Sequence, residues 1–133
     1  MHQHHRSLKA WIEAKEVSKS AYRAARHHWT PDAAAMFAQL QRSALSIQLN
    51  IAEGFALADL GRFGNHLAVA YGSAVETGDL LELMLEEGIL PENWRPQCCN
   101  AAGRARGFSW GCSSVIGRFP GQDEGRLPLT VDR

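Results

Sequence analysis

The sequence predicts an all-α fold, a bundle of four helices with consecutive helices antiparallel. Three observations predict it. Apolar residues recur at three-and-four spacing through most of the chain, the period of a helix with one buried face. The breaks between these runs carry Thr-Pro, Gly and Gly-then-Pro signals that start and stop helices. The connections are short, which sets successive helices side by side.

The first helix is expected over residues 7–28, with Ser7 as its N-cap. Ala10, Ala14, Val17, Ala21 and Ala24 mark its apolar face, with Trp11 and Tyr22 beside them. The second is expected from 31 to 55. Thr30 and Pro31 suit a helix start, Asp32 suits the positive end of the helix dipole, and Gly54 supplies an end signal. This helix reads as the organising element because it carries apolar residues on two sides. Met36, Leu40, Ala44, Ile47 and Ile51 form one stripe; Ala38, Leu45, Leu49 and Ala52 form the other. A surface helix normally has one. The expectation is burial on both sides, by its own bundle or by its own bundle and a neighbouring subunit.

The third helix is expected over 60–87, with Phe63, Leu67, Ala70, Ala74, Leu81 and Leu85 facing the core and Tyr71, Leu80 and Met84 flanking them. Gly72 and Gly78 lie inside it, each costing about 1 kcal/mol relative to Ala. Such glycines are expected where another backbone comes close. Gly88 and Pro91 end the helix. Beyond them Cys98, Ala101, Ala105, Phe108, Cys112, Val115 and Phe119 repeat at three and four, which predicts a glycine-rich fourth helix over about 94–118. The domain is therefore expected to span 1–119. Residues 120–133, with Pro120, Gly121, Gly125 and Pro128, read as an extended or disordered tail.

At 133 residues and 45% hydrophobic composition, one domain can bury a core without disulfide or metal support. No apolar run is long enough for a transmembrane helix, and the polar start Met-His-Gln-His-His-Arg-Ser lacks a signal peptide's apolar stretch. Three cysteines, Cys98, Cys99 and Cys112, form no even disulfide framework and no zinc-site spacing. A cytoplasmic location is expected, with no membrane partner. Net charge is zero but unevenly placed: seven Lys/Arg against three Asp/Glu in residues 1–50, then two against eight in 51–96. That pattern suits helix-to-helix complementarity, and it lacks the overall basic excess of a dedicated nucleic-acid domain.

The stretch Gln39-Leu40-Gln41-Arg42-Ser43-Ala44-Leu45-Ser46-Ile47-Gln48-Leu49-Asn50-Ile51-Ala52-Glu53-Gly54 resembles the signature of a four-helix-bundle family. That family includes proteins encoded in intervening sequences of large-subunit ribosomal RNA genes. Leu8-Lys9-Ala10-Trp11, Tyr22 and Ala70-Tyr71-Gly72-Ser73-Ala74-Val75-Glu76 extend the resemblance over about residues 8–90. Gln48 stands where the family commonly has proline or a small residue. After Pro96 the chain is Gly-, Cys- and Ser-rich where the family's fourth helix is rich in Leu and charge. The resemblance implies an up-and-down bundle, often a homopentamer, with no settled biochemical activity. A related branch resembles accessory proteins of diversity-generating retroelements, which engage a reverse transcriptase and nucleic acid.

Two groups of residues are candidates for function. Ser46, Asn50 and Glu53 share one face of the second helix, with Arg42 behind them and Glu76 on the antiparallel third helix. They read either as an interfacial polar seam or, with His66, as a buried carboxylate site. Arg42 and Glu53 lie about 16 Å apart along one helix, so any pairing must run to another helix or subunit. No Glu-x-x-His motif of a di-metal bundle occurs. Lys15, Lys19, Arg23 and Arg26 form a basic stripe on the first helix. It reads as a solvated or acid-docking face, or as a nucleic-acid face, although the sequence displays no interleaved aromatic platform. His2, His4 and His5 read as part of a mobile terminus rather than a metal site. No catalytic residue, metal or cofactor is expected. The expected partners are further copies of the chain and, in the alternative, nucleic acid.

Overall fold

The computed structural model describes residues 4–57 and 60–94. A 3-10 turn, His5–Ser7, leads into three α-helices: α1 (Lys9–His28), α2 (Ala34–Ala56) and α3 (Leu60–Glu86). The described residues contain no strand, so the all-α class stands with three helices rather than four. Beyond Trp94, the expected fourth helix and the tail lie outside the described residues.

Helix α2 sits between the other two. It packs antiparallel against α1 on one side and α3 on the other, while α1 and α3 share no close backbone approach among the described residues. The core follows from this arrangement. Phe37, Leu40, Ala44, Ile47 and Ile51 of α2 are buried, and they meet Ala14, Val17, Ala21 and Ala24 of α1 and Ala70, Ala74, Leu81 and Met84 of α3. Burying each large aliphatic or aromatic side chain contributes about 1.5–3 kcal/mol.

Helix ends correct several expectations. Ser7 does not cap α1: its hydroxyl donates to His4 O at 2.7 Å inside the 3-10 turn, and Leu8 takes the N-cap position without a side-chain bond. Thr30 and Pro31 do not open α2 directly. The Ala33 and Ala34 amides donate to the Thr30 and Pro31 carbonyls, a tight turn that delays the helix to Ala34. Gly54 does not end α2, which runs two residues further to Ala56. A Cβ on Gly54 would stand 2.8 Å from Phe63 Cδ2 and 2.9 Å from His66 Cβ, so Gly54 lets α3 cross close to α2. Gly72, expected at such a crossing, faces open space. Gly88, with φ of 68°, does end the third helix, and the Ile89 and Leu90 amides donate back to Met84 O.

The two apolar stripes of α2 meet different fates. Leu40, Ala44, Ile47 and Ile51 are buried. Leu45 and Ala52 are half-buried, while Ala38 and Leu49 are exposed. Among the described residues no helix is long and apolar enough to cross a membrane.

Candidate functional site

A ladder of polar side chains runs up the contact between α2 and α3. At one end Gln39 Nε2 donates to the Glu76 carboxylate. One turn on, Ser43 Oγ and Thr77 Oγ1 are 2.8 Å apart, and Thr77 also lies 2.8 Å from Ser73 O. Ser43 further reaches Leu40 O at 3.2 Å. Two hydroxyl protons therefore serve three short contacts, and both side chains are buried. Ser46 and Ser73 hydroxyls pair at 2.8 Å. Asn50 Nδ2 donates to Ser46 O at 2.9 Å and Ser46 Oγ at 3.1 Å, and His66 Nδ1 stands 3.1 Å from Asn50 Oδ1. The ladder ends where Glu53 Oε2 lies 3.7 Å from His66 Nδ1, an ion pair when the ring is protonated.

The structure thus brings Ser46, Asn50 and Glu53 onto one face and places Glu76 across from that face. Glu53 meets His66, while Glu76 meets Gln39, fourteen residues earlier on α2 and roughly 21 Å away at 1.5 Å per residue. Glu53, Glu76 and His66 do not converge, so they do not build the buried carboxylate site. Among the described residues no group of three or more His, Cys, Asp or Glu could hold a metal ion. Arg42 is exposed on the flank of the ladder face. The rungs that sequence reasoning missed are Thr77 and Ser73. Thr77 stands four residues after Ser73 and shares its face of α3, a spacing that was visible before any coordinates.

On α1 the four predicted cations, Lys15, Lys19, Arg23 and Arg26, are all exposed. They share one arc of the helix with Ile12 and Tyr22, which are 47% and 44% exposed, so Tyr22 lies among the cations and not beside the core. Lys19 Nζ binds Glu16 Oε1 at 2.7 Å, which holds the Glu16 carboxyl below the ordinary glutamate range. Lys15 Nζ stands 5.3 Å over the Trp11 ring, a cation–π contact. Aromatic groups absent from the expected stripe therefore flank it: His5 meets the Trp11 edge at 5.4 Å, and Trp29 is exposed just past the other end.

A third surface lies on the outer side of α3, where Gly72, Val75, Glu76, Asp79, Leu80 and Leu83 line an open groove of about 410 Å³.

The family model described as 23S rRNA-intervening sequence protein matches residues 6–104. The chain belongs to that family. The match begins in the 3-10 turn, takes in all three helices, and contains both the polar ladder and the basic stripe. Neither the curated proteins nor the solved structures give a match. The family description names a genomic setting and no biochemical role, so function has to be argued from the surfaces above.

Proposed function

We propose that this protein is a non-enzymatic, self-assembling helical bundle that serves as a binding or scaffold module, with a homopentamer as the expected assembly. The observation that carries this reading is apolar surface left open on two helices. Leu49 of α2 and Val69, Val75 and Leu83 of α3 are each 42–53% exposed. Val75 and Leu83 line one open groove of α3 together with Leu80, an apolar surface that a further copy of the chain can cover. The disposition of α1 and α3, both against α2 and apart from each other, is the diagonal arrangement of an up-and-down four-helix bundle. The polar ladder then has a structural role: it sets the register of α2 on α3. Light scattering of the purified full chain tests the reading. A defined oligomer is expected, reduced in mass by Leu49→Lys with Leu83→Lys; a monodisperse monomer overturns it.

The exposed α1 stripe favours a second reading, an RNA-binding or reverse-transcriptase accessory role through that face. Four cations and Tyr22 on one open arc match what a polyanion contacts first. Gel shift at low and high salt, with Lys15, Lys19, Arg23 and Arg26 changed together to Ala, tests it. Salt-sensitive binding lost in the variant supports the reading; equal binding by both proteins removes it.

A further inference from the structure

At the head of α1 the 3-10 turn, the first helical turns and α2 border an open cleft of about 660 Å³. Its chemistry differs from that of the open stripe. Ile12 and the Trp11 ring, whose face the Lys15 ammonium overlies at 5.3 Å and whose edge His5 meets, supply its apolar lining. Arg6 and Lys15 supply two cations, and His5 a ring N–H donor. Gln48, reaching in from α2, adds a neutral amide that both donates and accepts hydrogen bonds.

The one carboxylate on the cleft wall, Glu16, is engaged by Lys19 at 2.7 Å. Among the described residues neither Arg6 nor Lys15 has a carboxylate within ion-pair distance. Arg6 is exposed at the cleft, and the Lys15 ammonium rests over Trp11 with Glu16 as a more distant counter-charge. His5 is held below the ordinary histidine range first by desolvation and then by His4 and Arg6 nearby, so its ring serves the cleft as a neutral N–H donor.

We infer that this cleft is a nucleotide-binding site: a planar base takes the place of the Lys15 ammonium on the Trp11 face beside Ile12, its polar edge meets Gln48, and its phosphate is held by Arg6, the displaced Lys15 and the His5 N–H. Each part of the lining matches one part of such a ligand. An aromatic wall alone would take any flat apolar molecule, and a cation pair alone would take any anion. Side by side in one cleft they select a base joined to a phosphate. The inference deepens the nucleic-acid reading of α1. It places one end of the stripe at a nucleotide, either free or at the phosphorylated end of a single strand.

The test uses the full chain, adenosine 5′-monophosphate, inorganic phosphate, and one short single-stranded RNA prepared with a 5′-phosphate or a 5′-hydroxyl. Binding is followed by calorimetry and by tryptophan fluorescence. The monophosphate is expected to bind saturably and to quench the fluorescence, with the quench lost in Trp11→Phe. Arg6→Gln and Lys15→Met are each expected to weaken it about tenfold, the effect of losing one charge-assisted hydrogen bond. Both positions are exposed, and circular dichroism checks that the helices persist. Arg23→Gln with Arg26→Gln, outside the cleft, should leave monophosphate binding unchanged while weakening the RNA.

Failure of the monophosphate to bind, or binding unchanged in Arg6→Gln and Lys15→Met, overturns the cleft assignment. So does inorganic phosphate binding as tightly as the nucleotide. If RNA then still binds, with no preference for the 5′-phosphate, the stripe reading survives without the cleft. Monophosphate binding without RNA binding leaves the cleft a mononucleotide site and removes the stripe reading.

Discussion

The two contacts made by α2 are built on different principles. Against α1 it meets alanines: Ala14, Ala21 and Ala24 are at most 2% exposed. The link there is Ser18, whose single hydroxyl proton is shared between Ala14 O at 3.1 Å and Ala44 O at 3.0 Å. Against α3 the contact combines large apolar groups, Leu81 and Met84, with a run of polar pairs from Gln39 to Glu53. Small residues let backbones approach and specify register weakly. A polar ladder specifies register strongly, because sliding α3 by one turn leaves buried hydroxyls without partners. The α2–α3 pair is thus the fixed part of the molecule, and α1 is the element that a smooth surface allows to settle against it.

That contrast can be broken most severely at its centre. Ile51→Ala removes a side chain 1% exposed, and a loss of about 2–5 kcal/mol is expected in denaturant unfolding. A cost under 1 kcal/mol would mean the core is looser than its burial implies. Next comes the close crossing. Gly54→Ala drives a methyl into Phe63 and His66 Cβ and should lose about 1–3 kcal/mol to overpacking, of which about 1 is returned by helix propensity. Its control is Gly72→Ala, where the added methyl meets nothing within 4 Å and only the propensity gain of about 1 kcal/mol remains. Opposite signs for the two glycines are the expected result; equal signs would dissolve the distinction between crossing and open face.

Thr77→Val probes the ladder itself at nearly constant volume. It leaves Ser43 Oγ without its partner on α3, and about 1–3 kcal/mol should be lost. Ser18→Ala, on the alanine side, also removes a buried hydroxyl, but the two carbonyls it leaves, Ala14 O and Ala44 O, each lie inside a helix where a backbone amide already donates to them. Its expected loss is smaller, about 1 kcal/mol.

The smallest effect belongs to the surface. The Glu16 carboxyl titrates below its unfolded value because Lys19 donates to it. Its contribution is present above the unfolded pKa and disappears as pH falls through the folded one. For an exposed helical pair this amounts to about 0.3–0.5 kcal/mol. Thermal melts on acidification should lose that increment in the native chain and not in Glu16→Gln.

Much of this was legible beforehand. The buried faces of α1 and α3 and the inner stripe of α2 follow from periodicity, since burial on one side leaves a pattern at helical spacing. The Ser46, Asn50 and Glu53 face was legible for the same reason. The partners across it were not, because pairing Asn50 with His66, or Ser43 with Thr77, depends on how far α3 slides along α2. Gly54 was misread as a stop because a glycine near a helix end carries the same local signal whether it terminates the helix or admits a neighbour. Tyr22 was set beside the core because its spacing falls at the border of the apolar arc, and only the direction of α2 decides which side is wet.

By itself, then, the sequence determined the helical class, the segments that become helices and the faces they bury, since these rest on local spacing and on the free energy of removing apolar groups from water. Tertiary structure alone decided which polar groups meet, which glycine is a crossing and which is idle, and that Arg6, Trp11, Lys15 and Gln48 border one cleft. Those outcomes depend on the relative placement of separate helices, which no single run of residues encodes.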